Sequence, residues 1–120
     1  MTRPLVVKVT CGAEEAERCN QGFTVAATAA VAGADVSLWL TGEAAWLAVP
    51  GRAEELSLPL ATPLAELIAA VLAAGRVTVC SQCAARRSLT EADLLPGVRV
   101  AGAAVFAEEV LGDGVQALVY

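Results

Sequence analysis

The chain has 120 residues, with 8 basic and 13 acidic side chains for a formal charge of -5, no histidine, and 57% hydrophobic residues, only 4% of the chain being aromatic. At this length folding buries roughly two thirds of the unfolded surface, so one domain over residues 1–120 needs neither a disulfide framework nor a structural metal, and its four cysteines are free for chemistry. The lack of histidine excludes serine-histidine catalysis and imidazole ligation, and the acidic balance, with no basic tract beyond Arg86-Arg87, argues against direct nucleic-acid contact.

Residues 5–10 are β-branched and apolar around a single Lys8, which predicts a short strand buried on both faces and broken by Gly12. Over residues 14–31 the spacing turns helical, with Ala16, Cys19, Phe23, Ala26 or Ala27 and Ala30 on one face and Gly33 as C-cap. Glu14, Glu15 and Glu17 lie at the positive end of that helix dipole. Residues 35–40 predict a second strand, followed after Gly42 by a short helical piece holding Trp46. Residues 49–61, with Pro50, Gly51 and Pro59, read as an irregular, mobile loop. Thr62 and Pro63 fit the N-cap and first position of a helix that buries Leu64, Leu67, Ile68, Val71 and Leu72, with Gly75 past its end.

A strand at residues 76–79 runs directly into Cys80-Ser81-Gln82-Cys83 and an Ala84-Ala85-Arg86-Arg87 helix. Ser88 with Glu91 forms a capping-box pattern for a short helix that Pro96-Gly97 ends. A strand at residues 98–101, a helix at 103–111 opened by Gly102, and a strand at 115–119 after the Gly112-Asp113-Gly114 turn complete the order. Strands alternating with helices imply an α/β fold, a parallel sheet covered on both faces through right-handed crossovers. The longest apolar run, residues 67–74, is far below the roughly 20 residues that cross a bilayer. With no secretory hydrophobic region after Met1, a cytoplasmic location without membrane contact is expected.

Ligands of such sheets bind beyond the carboxyl ends of the strands, which singles out Cys11 and Cys80 at the ends of the first and third strands. A thiol between a strand end and a helix start meets unpaired backbone N–H groups and the helix dipole, both of which favour the thiolate. Cys80 is therefore the expected reactive residue, able to attack a persulfide or disulfide and hold a transferred sulfur. Cys83 stands about one helical turn on, close enough in principle to form a disulfide or resolve a mixed one. Cys11, beside Gly12 at a helix entrance, reads equally as a second reactive thiol or as a small turn residue, and Cys19 as core. Arg86 and Arg87 offer a dock for a partner's carboxylate or phosphate, or simply a solvated helix end. The pairs Glu14-Glu15, Glu54-Glu55 and Glu108-Glu109 read as solvated faces.

Three segments stand out in order: Thr10-Cys11-Gly12-Ala13-Glu14-Glu15-Ala16-Glu17-Arg18 after the first strand, Val79-Cys80 through Ala85-Arg86-Arg87 after the third, and Leu94-Leu95-Pro96-Gly97-Val98-Arg99-Val100-Ala101-Gly102-Ala103-Ala104. Their order and spacing resemble the DsrE/DsrF family of small sulfur-relay proteins, which includes TusD-type sulfurtransferase subunits. The resemblance implies a three-layer α/β/α sandwich with a five-stranded parallel sheet, assembly as a homotrimer, a hexamer or a complex with related subunits, and a persulfide on Cys80 exchanged with sulfur donor and acceptor proteins. It implies no organic cofactor. Ser88 stands where the family often has glycine, and Cys83 adds a thiol that its site does not require.

The same residues fit two other readings. One is a non-catalytic oligomeric subunit, binding or regulatory, with a Cys80/Cys83 thiol-disulfide switch. The other is thiolate metal binding, which needs ligands beyond the Cys-x-x-Cys pair.

Overall fold

The computed structural model describes residues 2–120. Its five strands are β1 (Pro4–Val9), β2 (Asp35–Leu40), β3 (Arg76–Cys80), β4 (Arg99–Ala101) and β5 (Gln116–Val119). All neighbours pair in parallel, in the order β4-β3-β2-β1-β5. Four α-helices connect them: α1 (Ala16–Val31), α2 (Leu64–Ala74), α3 (Ser81–Arg86) and α4 (Ala103–Val110). The first three connections step the same way across the sheet, and the fourth carries the chain from one edge to the other. Right-handed crossovers therefore put α1, α2 and α3 on one face and α4 alone on the other, which completes the three layers.

The two faces differ in chemistry. Side chains alternate along a strand, and residues in register across a parallel sheet share a face. One face carries Val7, Val9, Val36, Leu38, Leu40, Val77 and Val79, each at most 1% exposed, beneath Phe23, Ala26, Leu64, Ile68 and Val71 of α1 and α2. Burying each large aliphatic side chain here contributes about 1.5–3 kcal/mol. Gly22 is where α1 comes nearest the sheet, since a Cβ there would lie 2.6 Å from a Val9 methyl carbon. On the opposite face the register aligns Lys8, Trp39, Thr78 and Arg99 in one row. The first strand is buried on both faces as expected, Val7 and Val9 on one and Val6 on the other, but half-buried Lys8 makes the second face, under α4, a polar one.

Other expectations shift for local reasons. The first helix opens with a 3-10 turn, Ala13–Glu15, before the α-helix starts at Ala16. Ala32 closes that helix in a right-handed conformation, and Gly33 follows at φ 99°, outside the cap itself. The piece after Gly42 is a 3-10 segment, Gly42–Ala48. The loop expected to be mobile is pinned by another 3-10 turn, Ala53–Glu55, with Ala53 and Leu56 buried. Pro63, rather than Thr62, caps α2, and the Pro63 carbonyl accepts the N–H groups of Glu66 and Leu67. Thr62 instead offers its carbonyl to the Asn20 amide at 3.2 Å.

The capping box also lies two residues beyond its expected place. Thr90 and Asp93 form it, with the Thr90 N–H donating to Asp93 Oδ2 at 2.8 Å. Ser88 sits at φ 56° and turns the chain out of α3, so it is not free to cap.

Candidate functional site

Cys80 is both the last residue of β3 and the N-cap of α3, as the sequence predicts. It is half-buried. Its side chain lies on the polar face and lines a slot of about 60 Å³ with Lys8, Trp39, Thr41, Ala103 and Phe106. Burial pushes the thiol pKa up, but the backbone N–H of Cys83, the Cys83 thiol, the backbone N–H of Gln82 and the Lys8 ammonium outweigh it, and the net shift is downward. The thiolate is accordingly favoured more than at an ordinary cysteine.

Cys83 is brought to the same place from α3. It is buried, and its Sγ accepts the Gly42 N–H at 3.2 Å while its side chain supports the Cys80 sulfur. Gly42 can make this approach because it adopts φ 55°; a Cβ there would lie 2.7 Å from the Thr10 carbonyl oxygen. Arg87 fastens the other end of α3. It donates to Glu43 Oε2 from Nη2 at 2.7 Å and from Nε at 3.2 Å, and to the Cys83 carbonyl at 3.1 Å. The Arg87 hydrogen bond holds the Glu43 carboxyl below its usual range. Of the two arginines expected to dock a partner, Arg87 is thus engaged within the chain, whereas Arg86 makes no ion pair among the described residues.

Cys11 does not join them. β2 lies between β1 and β3, and the Cys11 thiol donates to the Glu15 carbonyl at 3.8 Å, buried at the foot of α1. Burial pushes its pKa up; Arg18 opposes that shift, and Glu14 and Glu15 reinforce it. Cys19 is completely buried, as expected, and burial pushes its thiol up to about 12, with Cys11 and Glu14 adding to the shift. Among the described residues no group of three or more cysteine and carboxylate side chains is placed to hold a metal ion, which leaves the thiolate-metal reading without a ligand set. A larger groove of about 440 Å³ runs along Asn20, Gln21, Thr24, Leu60 and Tyr120, but no cysteine opens into it.

Several residues of the polar face were not singled out from the sequence. Glu109, expected on a solvated face, accepts Ser37 Oγ at 2.6 Å and Trp39 Nε1 at 3.0 Å on one oxygen and pairs with Arg99 through the other. Burial raises its pKa, but the bonds from Ser37, Trp39 and Arg99 more than reverse that, leaving the carboxyl below its usual range. The network fixes α4, whose Phe106 meets Trp39 edge-on at 5.3 Å between ring centroids and underlies the Lys8 ammonium at 4.6 Å. α4 thereby supplies one wall of the Cys80 slot through Ala103 and Phe106. The available signal was the alternation in β1 and β2, where Lys8, Ser37 and Trp39 fall on one side.

A family model described as the DsrE/DsrF-like family matches residues 5–118. Two solved structures align with the whole chain and over their own whole length. The ychN protein from E. coli is 16% identical with a TM-score of 0.80. A protein of unknown function, MTH1491 from Methanobacterium thermoautotrophicum, is 10% identical with a TM-score of 0.67. At these identities the likeness speaks for the fold alone. No curated protein matches the sequence.

Proposed function

The chain belongs to the DsrE/DsrF-like family, which is associated with sulfur relay, and on that premise we propose that it is a cytoplasmic sulfur carrier whose working atom is Cys80 Sγ. The Cys80 thiolate attacks the outer sulfur of a donor persulfide. A Cys80 S–S bond forms, the donor S–S bond breaks, and the donor thiolate leaves with the electron pair. An acceptor thiolate then takes the outer sulfur in the same manner and returns Cys80 to its thiolate. One observation supports this reading above the others: the reachable thiol at the carboxyl edge of the sheet is also the one whose surroundings favour ionisation. Sulfur exchange requires both properties.

The partners are donor and acceptor proteins, and the assembly is a homotrimer or hexamer. Leu111, Leu118 and Val119, exposed around α4 and β5, are the apolar surface that such an assembly would cover. Intact mass after exposure to a small persulfide donor tests the chemistry. The parent gains one sulfur and Cys80→Ala does not; a gain that persists in Cys80→Ala removes the assignment. Native mass spectrometry tests the assembly, and a monomer at micromolar concentration refutes it.

Cys83 supports a second reading, the thiol-disulfide switch of a regulatory subunit. Its sulfur bonds to Gly42 N–H and helps stabilise the Cys80 thiolate, so both thiols of a Cys-x-x-Cys pair meet at one point. On a loaded protein, Cys83 thiolate attack on the Cys80 sulfur of the persulfide would form the Cys80–Cys83 bond and break the bond to the outer sulfur, which leaves as hydrosulfide, reduced as the Cys83 sulfur is oxidised. Sulfide release that depends on Cys83, with no sulfur delivered to an acceptor thiol, would favour the switch over the carrier.

A further inference from the structure

Lys8 is the one cation in β1, whose other residues are Pro4, Leu5, Val6, Val7 and Val9. Its ammonium lies over the Phe106 ring, and among the described residues it forms no ion pair with a carboxylate. A half-buried ammonium with no anion facing it is unfavourable, because the apolar walls replace water without supplying charge. The slot does hold one group able to become an anion, the Cys80 sulfur. Lys8 is level with Trp39 and, through Trp39, with Thr78, so Cys80 lies two residues farther along β3 on the same face.

Among the described residues no other charged side chain lines the slot. Beyond it Arg86 ends α3, and Arg87, which follows, pairs with Glu43. β2 ends at Thr41, and α4 contributes Ala103 and Phe106. α3 contributes the Cys83 thiol and the amides of Gln82 and Cys83. Elsewhere on this face Arg99 pairs with Glu109, and Arg76, four residues before Cys80 in β3, pairs with Asp35.

We propose that Lys8 is the counter-ion of the Cys80 sulfur, a positioning residue that holds the thiolate and, after transfer, the terminal sulfur anion of the perthiolate in the slot. The perthiolate half rests on the sulfur-carrier reading, whereas the thiolate half does not. The slot, with room for only a few atoms the size of a water molecule, accepts one added sulfur beside the ammonium. The same ammonium would draw the incoming anionic persulfide towards the sulfur that attacks it.

The test is the pH-rate profile of Cys80 alkylation by iodoacetamide, with the site mapped by mass spectrometry. Lys8→Met moves the midpoint to higher pH and slows alkylation at pH 7 by about threefold, a modest effect because three hydrogen bonds to the sulfur remain. Lys8→Arg restores most of the rate. A profile unchanged in Lys8→Met, or a Lys8→Arg variant as slow as Lys8→Met, overturns the proposal.

If Lys8→Met does not fold, the parent alone decides. Anionic iodoacetate should gain on neutral iodoacetamide at Cys80 relative to a cysteine peptide, and the gain should vanish in high salt. No such preference overturns the counter-ion. Sulfur loading separates the two proposals: a shifted profile in a protein that never gains sulfur keeps Lys8 and removes the carrier, and loading with an unshifted profile does the reverse.

Discussion

Replacing Glu109 tests whether α4 is held over the sheet by one carboxylate. Ser37 and Trp39 are each 1% exposed, and both donate to the same Glu109 oxygen. Losing a hydrogen bond to a charged acceptor costs about 1.5–3 kcal/mol, and the low end applies here because the Glu109 side chain is 19% exposed and water can enter. The Arg99 side chain is 38% exposed, so its share of the ion pair is discounted to about 0.5 kcal/mol. The sum for Glu109→Ala is about 3.5 kcal/mol, or roughly 10–18 °C in Tm for a domain of this size.

Glu109→Gln keeps a neutral acceptor for Ser37 and Trp39 but loses the charge and turns an NH2 donor towards Arg99, so about 1–1.5 kcal/mol is expected. Urea unfolding followed by tryptophan fluorescence measures both, since Trp39 belongs to the network. The pH dependence has a definite sign. The folded carboxyl lies below its unfolded value of roughly 4.3, so the advantage of the parent over Glu109→Gln is complete above that pH and fades as acid carries the solution through the folded value. An alanine variant within about 0.5 kcal/mol of the parent at pH 7 would refute the reasoning, because surface substitutions commonly fall in that range.

Three further outcomes are expected. Alkylation should reach Cys80 first and Cys19 only when the protein unfolds, since the Cys19 thiol is completely buried and pushed up to about 12; mapped labelling over time at pH 7.5 checks the order. Cys83→Ala should raise the alkylation midpoint of Cys80 by removing one of the groups that favour its thiolate, with little change in far-UV dichroism. Gly42→Ala should cost about 2–3 kcal/mol by urea unfolding, because it strains a left-handed backbone and drives a Cβ against the Thr10 carbonyl.

The strand-helix alternation was legible because the strands are short β-branched runs and the helices carry apolar residues at helical spacing. Cys80 at the end of β3 could be placed for the same reason: Val77, Thr78 and Val79 stop directly before it. The family resemblance supplied the number of strands and layers, which alternation alone leaves open. What escaped the sequence depends on which face a strand residue occupies. Lys8 looked like an interruption in a buried strand, yet its meaning depends on Phe106, which lies almost a hundred positions away and crosses above it only because the last connection reverses direction. Glu109 was indistinguishable from its exposed neighbour Glu108 without knowing how α4 is rotated. Cys11 and Cys80 end strands on the same rim, but strand order separates them, and strand order is not written in local spacing.

The hydrogen bond from Thr10 to the Tyr120 carbonyl joins residues 110 positions apart, and β5 pairs with β1 over a similar separation. Closing so long a loop costs entropy before any contact offsets it, so this pairing is expected to form late in folding. β1, β2 and β3 can assemble earlier through nearer partners, leaving α4 undocked. In that interval Cys80 faces solvent without its outer wall. A refolding chain under oxidative stress would then expose this thiol, and a chaperone that shielded the face would protect the slot as well as the fold.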